Sequence, residues 1–416
     1  MTLNAADAKW VEQTLAALTT RQKLGQIMIP RITAKGVEPF GFAGFIEKYQ
    51  PGGGHMFGGD LETTHKVISE IQAASQIPML VTADLERGIG QRVEGSTEFA
   101  GQLALGACGD EELAYRMGQA IAVEGTATGI NWSFGPVVDL SINPANLSTI
   151  RCLGSEPEKV GRLACRMIEG MQAHGVAATA KHLPGAGTDD LDSHLTTAVN
   201  HLSREQWYRL SGLPFKMAID AGVWSIMTSP KACPAIDPEA GNPLFPRPVM
   251  VSKSVCTGII REEFGFDGLL VTDAVTMAGL TMHERRLPMH LACLNAGNDM
   301  LLFVRRLDSL YEYLERCLDD GSLSPARLDD AVRRVLTLKA RLQLHRKPAL
   351  MPLDKARQVF ATTPYGKDAE RLAEKSITLV RDTNDIVPLA ARPGLRVLSV
   401  LVTNRPDFNL DVFDQT

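Results

Sequence analysis

Short apolar runs separated by longer helical patterns recur along most of this 416-residue chain, and that alternation constrains the fold more than any other feature. The runs are QIMIPRI from Gln26, GGHMFG from Gly53, PMLVTADLE from Pro78, INWSFGPVVDL from Ile130, VAATAKHLPG from Val176, VWSIMTSP from Val223, GLLVTDAV from Gly268 and NDMLLFV from Asn298. Between them lie stretches such as EELAYRMGQAIAVEGTATG, EKVGRLACRMIEGMQAHG and REQWYRLSGLPFKMAIDAG, closed by Gly129, Gly175 and Gly222 at C-cap-like positions. Strands alternating with helices are the mark of βαβ units and a parallel α/β sheet. Eight units within roughly 340 residues fit a (β/α)8, TIM-type barrel better than an open doubly wound sheet.

After Phe303 the pattern turns helical, with RLDSLYEYLERCLDDGSL and then SPARLDDAVRRVLTLKARLQL, the latter opened by Ser324 as N-cap and Pro325 at the first helical position. Residues 1–345 therefore read as the barrel and 346–374 as a connector. Residues 375–416 hold two strand-like runs, KSITLVRDTNDIVPL and LRVLSVLVTN, which read as the incomplete start of a second α/β domain. A hydrophobic share of 44% and a charged share of 22% suit a packed globular protein. The net charge of −5 gives no basic footprint for nucleic acid or an anionic membrane, so a small neutral ligand is the expected partner. Seven scattered cysteines without a CxxC pair suggest neither a disulfide framework nor a zinc site, and no metal or cofactor is expected. The start, MTLNAADAKWVEQTLAAL, reads as an amphipathic helix rather than a signal segment, and no run approaches the roughly 20 apolar residues of a membrane span, which makes the cytoplasm the expected location.

Polar residues gather where the strands end: Asp84 and Glu86, Asp139, Lys181 and His182, and Asp273. In a parallel α/β fold those ends share one face. Asp273, directly after GLLVT, reads as a carboxylate nucleophile, an electrostatic partner for a developing cation, or a helix N-cap. Asp192 and His194 sit in a loop too rich in turn formers to continue a strand, and they read either as a dyad for general acid–base work or as a solvated turn. Lys181 and His182, with Arg92 and Arg151, could donate hydrogen bonds to substrate hydroxyls or serve as ion-pair partners. The glycine-rich GGGH and ERGIGQ lack the P-loop and dinucleotide-binding patterns.

TADLERGIGQRV, GINWSFGPVVDLSINPAN, STIRCLGSEPEKV, GVAATAKHLPGAGTDDLDSH and FDGLLVTDAVTM stand in an order and spacing that resembles glycoside hydrolase family 3, in its bacterial β-N-acetylglucosaminidase branch, over about Leu18 to Leu342. The resemblance implies a barrel and a retaining double displacement. Asp273 would be the nucleophile, His194 backed by Asp192 the acid/base, and Asp84, Arg92, Arg151, Lys181 and His182 the sugar-binding groups. It implies hydrolysis of terminal β-linked N-acetylglucosamine from cell-wall fragments or chitooligosaccharides. Alternatives are a phosphorylase, a β-glucosidase and a sugar-binding protein without turnover. The chain departs from the family pattern at Ala186, at Thr188 and Asp189, at Arg87, where an extra charge stands near the sugar-binding motif, and at Ala274.

Overall fold

The computed structural model describes residues 3–33, 41–242, 245–346, 350–390, 393, 394 and 396. Every one of the eight apolar runs contributes to a strand: β1 Met28–Ile29, β2 Arg31–Ile32, β3 Gly53–Met56, β4 Leu80–Ala83, β5 Trp132–Ser133, β6 Thr179–Leu183, β7 Ser225–Thr228, β8 Leu269–Ala274 and β9 Met300–Leu302. The first run yields two strands because Pro30 offers no N–H to a ladder, so the pairing changes partner there. Met28 and Ile29 pair with β9, whereas Arg31 and Ile32 pair with β3. All ladders are parallel, in one sheet of order β1-β9-β8-β7-β6 and one of order β2-β3-β4-β5. The α/β, parallel expectation is met, and strand pairing gives two sheets rather than a single closed ring. Single backbone bonds cross from the β5 segment to that of β6: Ser133 N donates to Ala177 O, Thr179 N to Gly135 O and Val138 N to Lys181 O, each at 2.8 Å.

Apart from exposed Arg31 on β2, both faces of these strands are covered, which explains runs without polar alternation. Leu269 and Val271 of β8 join Ile29, Trp132, Phe134, Met227 and Met300 in a buried cluster fed by strands of both sheets. Leu270 and Ile226, displaced by one position, enter the larger cluster with the helices. Trp132 is fully buried and donates its indole N–H between Thr179 Oγ1 and Ser225 Oγ, both at 2.9 Å. Its one polar atom is thereby satisfied inside an apolar layer.

The helices start and stop where local chemistry directs. Helix Glu111–Thr128 opens at Asp110, whose carboxylate accepts from the N–H groups of Glu112 and Leu113, and closes at left-handed Gly129. Helix Pro157–Ala173 ends two residues before Gly175, with His174 at its C-cap. Helix Pro325–Arg341 has Ser324 accepting from Arg327 N and Pro325 in its first turn. The 346–374 segment contains helix Leu353–Thr362 and most of helix Tyr365–Ser376, and Asp368 there pairs with Arg116 at 2.9 Å.

The chain divides into two compact units, Met1–Ile377 and Thr378–Thr416. Residues 378–390 form no strand, so the run expected in KSITLVRDTNDIVPL is not realised: Lys375 and Ser376 end a helix, and Leu379, Val380, Ile386, Val387 and Leu389 are exposed. Apart from Leu395's neighbour Arg396, LRVLSVLVTN lies outside the described residues. Among the described residues no helix is long and apolar enough to cross a membrane.

Candidate active site

Thr179 and Lys181 of β6 lie two residues apart and so share a face; Thr179 bonds Trp132 in the inner cluster, and Lys181 stands beyond it at the C-terminal end of the sheet. The Lys181 ammonium is 1% exposed, 2.8 Å from Asp84 Oδ1 and 2.7 Å from Glu86 Oε1. Arg92 Nη2 holds the other Asp84 oxygen at 3.0 Å. Arg151 grips Glu86 with two donors, Nε at 2.9 Å and Nη2 at 2.6 Å. Burial opposes the charge on the ammonium and on both carboxylates alike, and their mutual contacts, with those of Arg92 and Arg151, are what keep all of them ionised.

The protonation states follow from the same balance. Burial pushes Lys181 down, yet Asp84 and Glu86 raise it above the ordinary lysine value. Burial alone would raise both acids; Lys181, with Arg92, instead holds Asp84 well below the usual carboxylate range. Lys181 and Arg151 bring Glu86 down to about 2. His55, on β3, is stacked on Phe134 and lies 3.6 Å from Asp84; burial lowers it to about 4, so it is neutral at pH 7.

Asp139 orders the next residue along. It is fully buried, and its oxygens accept from His182 Nδ1 at 2.7 Å, from His182 N at 3.1 Å and from Ala186 N at 2.7 Å. Burial works against its ionisation, and the His182 contact overrides that and lowers its pKa. With Nδ1 donating to the carboxylate, His182 turns Nε2 toward Arg151, 3.5 Å away.

The loop that follows is tied at its root and open at its tip. Gly187 has φ +96°, and a Cβ there would strike the Leu140 carbonyl, so only glycine fits. Asp189 forms a buried pair with Lys231, both oxygens at 3.2 Å, while Asn146 Nδ2 donates to the Asp189 carbonyl at 2.7 Å. Farther out, Asp192 Oδ1 accepts from His194 N at 2.9 Å and lies 2.8 Å from His194 Nδ1. A carboxylate there requires the proton on Nδ1, leaving Nε2 to exchange one. The His194 side chain is 73% exposed. The DxH pair is thus hydrogen-bonded and exposed, a geometry that fits either reading of it.

Asp273 stands two residues beyond Val271, where the register between β8 and β9 shifts. Its sole hydrogen bond among the described residues comes from Ala274 N, at 2.7 Å, and it has no ion pair. It does not cap a helix: the short helix Ala278–Thr281 begins at Met277. Asp84, Glu86 and Asp139 are each committed to cations or backbone, whereas Asp273 keeps an oxygen unused.

Arg151, His182, Asp192, His194 and Asp273 line one pocket of 60 Å³. Asp84, Arg92 and Lys181 do not line it; they connect to it through Glu86 and Arg151. Arg92 and Arg151 are therefore ion-paired, but to acids of the site. Glu86 and Asp139 were visible at strand ends without an assigned role, and Lys231 gave no signal in the sequence. Arg87 points to Glu98 at 3.1 Å and borders neither this pocket nor the cavity of 340 Å³ that also touches His194. A larger cavity of 550 Å³ opens near Pro78, Ile130 and Gly175, at the opposite strand ends, and has no charged lining residue. Among the described residues no group of three His, Cys, Asp or Glu side chains is placed to hold a metal ion.

Residues 19–338 match the Glycosyl hydrolase family 3 N terminal domain. The chain belongs to glycosyl hydrolase family 3, and its enzyme class is glycoside hydrolase. It is similar to a beta-N-acetylglucosaminidase/beta-glucosidase of Cellulomonas fimi, 34% identical over 94% of this chain and 69% of that one. Its fold is similar to that of the beta-glucoside phosphorylase BglX bound to 2FGlc, with a TM-score of 0.88 and 32% identity over 93% of this chain and 70% of the other. A family 3 beta-N-acetylglucosaminidase from Paenibacillus sp. str. FPU-7 matches with a TM-score of 0.81 and 32% identity, covering 89% of this chain and 71% of that one.

Proposed function

We propose that the chain is a retaining exo-glycosidase that removes terminal β-linked N-acetylglucosamine from cell-wall fragments or chitooligosaccharides in the cytoplasm. The observation that carries the reading is Asp273: an uncommitted carboxylate on the wall of a pocket that also holds an Asp192–His194 dyad. Asp273 attacks the anomeric carbon. His194, oriented through Nδ1, protonates the leaving oxygen from Nε2, and the same nitrogen then takes a proton from the incoming acceptor. Arg151 and His182 fix the sugar by hydrogen bonds, their own orientation set by Glu86 and Asp139. We read the scaffold as a (β/α)8 barrel over 1–345, supported by the backbone bonds between the two sheets and the shared inner cluster. In the same reading 346–374 connects it to the start of a second α/β domain over 375–416.

Phosphorolysis is the second reading. An imidazole repels an approaching phosphate less than a carboxylate acid/base would, and one similar structure is a beta-glucoside phosphorylase. Nitrophenol release from the aryl β-N-acetylglucosaminide and the aryl β-glucoside, with and without phosphate, separates these. The proposal expects a strong preference for the N-acetylglucosaminide. A preference for glucose overturns the substrate, and sugar 1-phosphate as the main product overturns hydrolysis.

A further inference from the structure

His194 and Met277 border two cavities, and only the smaller has a role so far. Asp273 lines that one; its neighbour Ala274 lines the other, which has a volume of 340 Å³. Two aromatic rings wall the larger cavity, Phe57 and Phe303, with centroids 5.4 Å apart. The other notable groups are two arginines, Arg31 and Arg305. The Arg31 guanidinium lies 3.9 Å from the Phe57 ring centroid, a cation–π contact that positions the group and leaves its in-plane donors unused. Both arginines are exposed, and among the described residues neither forms an ion pair. Arg92 and Arg151 differ sharply, since each is spent on a carboxylate.

The atom that leaves during cleavage, or that arrives as acceptor, must meet His194, because that imidazole gives and takes its proton. A cavity bordered by His194 and supplied with two guanidinium forks that pair with no acid among the described residues suits a partner bearing planar or tetrahedral oxygens. We infer that this cavity is the leaving-group and acceptor subsite, and that it selects an oxyanion, carboxylate or phosphate, between Arg31 and Arg305. The apolar part of such a group packs on Phe57 and Phe303. This rests on the glycosidase reading above and deepens it from a neutral sugar to an anionic partner.

The test uses two aryl β-N-acetylglucosaminides of matched leaving-group pKa, one carrying a ring carboxylate. Wild type should show a kcat/KM ratio of about tenfold in favour of the anionic one, as expected for a charge-assisted contact, and high salt should compress it. In the Arg31→Gln/Arg305→Gln double variant the ratio should fall to near one. A wild-type ratio near one with no phosphate dependence, or equal falls on both substrates, overturns the subsite. Phosphate titration distinguishes the sources: phosphate-dependent turnover that the double variant loses assigns the oxyanion to the acceptor, and a response confined to the carboxylate pair assigns it to the leaving group. Calorimetric titration of benzoate and inorganic phosphate covers the case in which neither glycoside turns over. Binding abolished by the double substitution then upholds the subsite while the glycosidase reading fails, and absence of binding removes both.

Discussion

Buried charge is concentrated at the two ends of the strands, and the two clusters are built to opposite ends. At the base, Asp299 is fully buried and entirely occupied: Arg261 Nη2 at 2.6 Å, Arg327 Nη2 at 2.8 Å, Arg334 Nη1 at 3.7 Å and the Leu270 N–H at 2.8 Å all converge on its two oxygens. Those arginines come from helices Ser254–Glu263 and Pro325–Arg341, so the acid fastens two helices to the start of β9. Burial opposes its charge, and the three cations keep its pKa low nonetheless. At the opposite end the same strategy covers Asp84, Glu86 and Asp139, but it stops short of Asp273 and leaves the Asp192–His194 pair in solvent. Saturation makes a charge structural. A charge kept for chemistry must be left partly unsatisfied and surrounded by others that are not.

The largest expected effect tests that contrast at Asp273. Asp273→Ala should lower kcat on the order of 10⁴-fold or more, as loss of a covalent nucleophile does, with an unchanged melting temperature. His194→Ala should cost about 10²–10⁴-fold with a poor leaving group and much less with an activated one, because protonation then matters little. Equal losses on both substrates would remove His194 from the acid role. Asp299→Ala should do the reverse: about 3 kcal/mol less unfolding free energy, since Arg261 loses its one carboxylate among the described residues while Arg327 and Arg334 keep Asp330, and full turnover per folded molecule. A drop in kcat at unchanged stability would erase the distinction between the two ends.

How far the sequence foretold this depends on what each residue touches. The eight strand-forming runs were legible because they are largely apolar without alternation, and Asp273 because an acid ending such a run stands out. Asp192 and His194 bond each other across two residues, so spacing put them within reach of one another, while a dyad and a solvated turn both stayed open. The partners of Lys181 lie 97 and 95 positions away, and no local pattern encodes them. The same is true of Lys231, which reaches Asp189 from 42 positions off. Residues 378–390, which hold most of KSITLVRDTNDIVPL, form no strand, and the second run that would pair with it lies, but for Arg396, outside the described residues. Periodicity reports which face is buried; it does not report what meets it.

Lys339 offers the finest test of the base, because it is the buried charge there without an acid. It is fully buried, its Nζ donates to Gln26 Oε1 at 2.7 Å, and burial pushes it down to about 7. Between that value and the ordinary 10.5 the unfolded chain holds a proton that the folded chain lacks, so this group makes stability rise with pH, by about 1.4 kcal/mol per unit at most. Below pH 7 both states are protonated and the penalty is constant. Buried thiols such as Cys256 and Cys293, raised by burial, contribute the opposite slope at alkaline pH, so the informative quantity is the difference between wild type and Lys339→Met. Denaturant melts should show the variant more stable at pH 7, with its advantage shrinking steadily toward pH 10. A difference that does not vary with pH would mean that Lys339 keeps its proton when folded. The base would then tolerate a bare charge, and the rule drawn from Asp299 would fail there first.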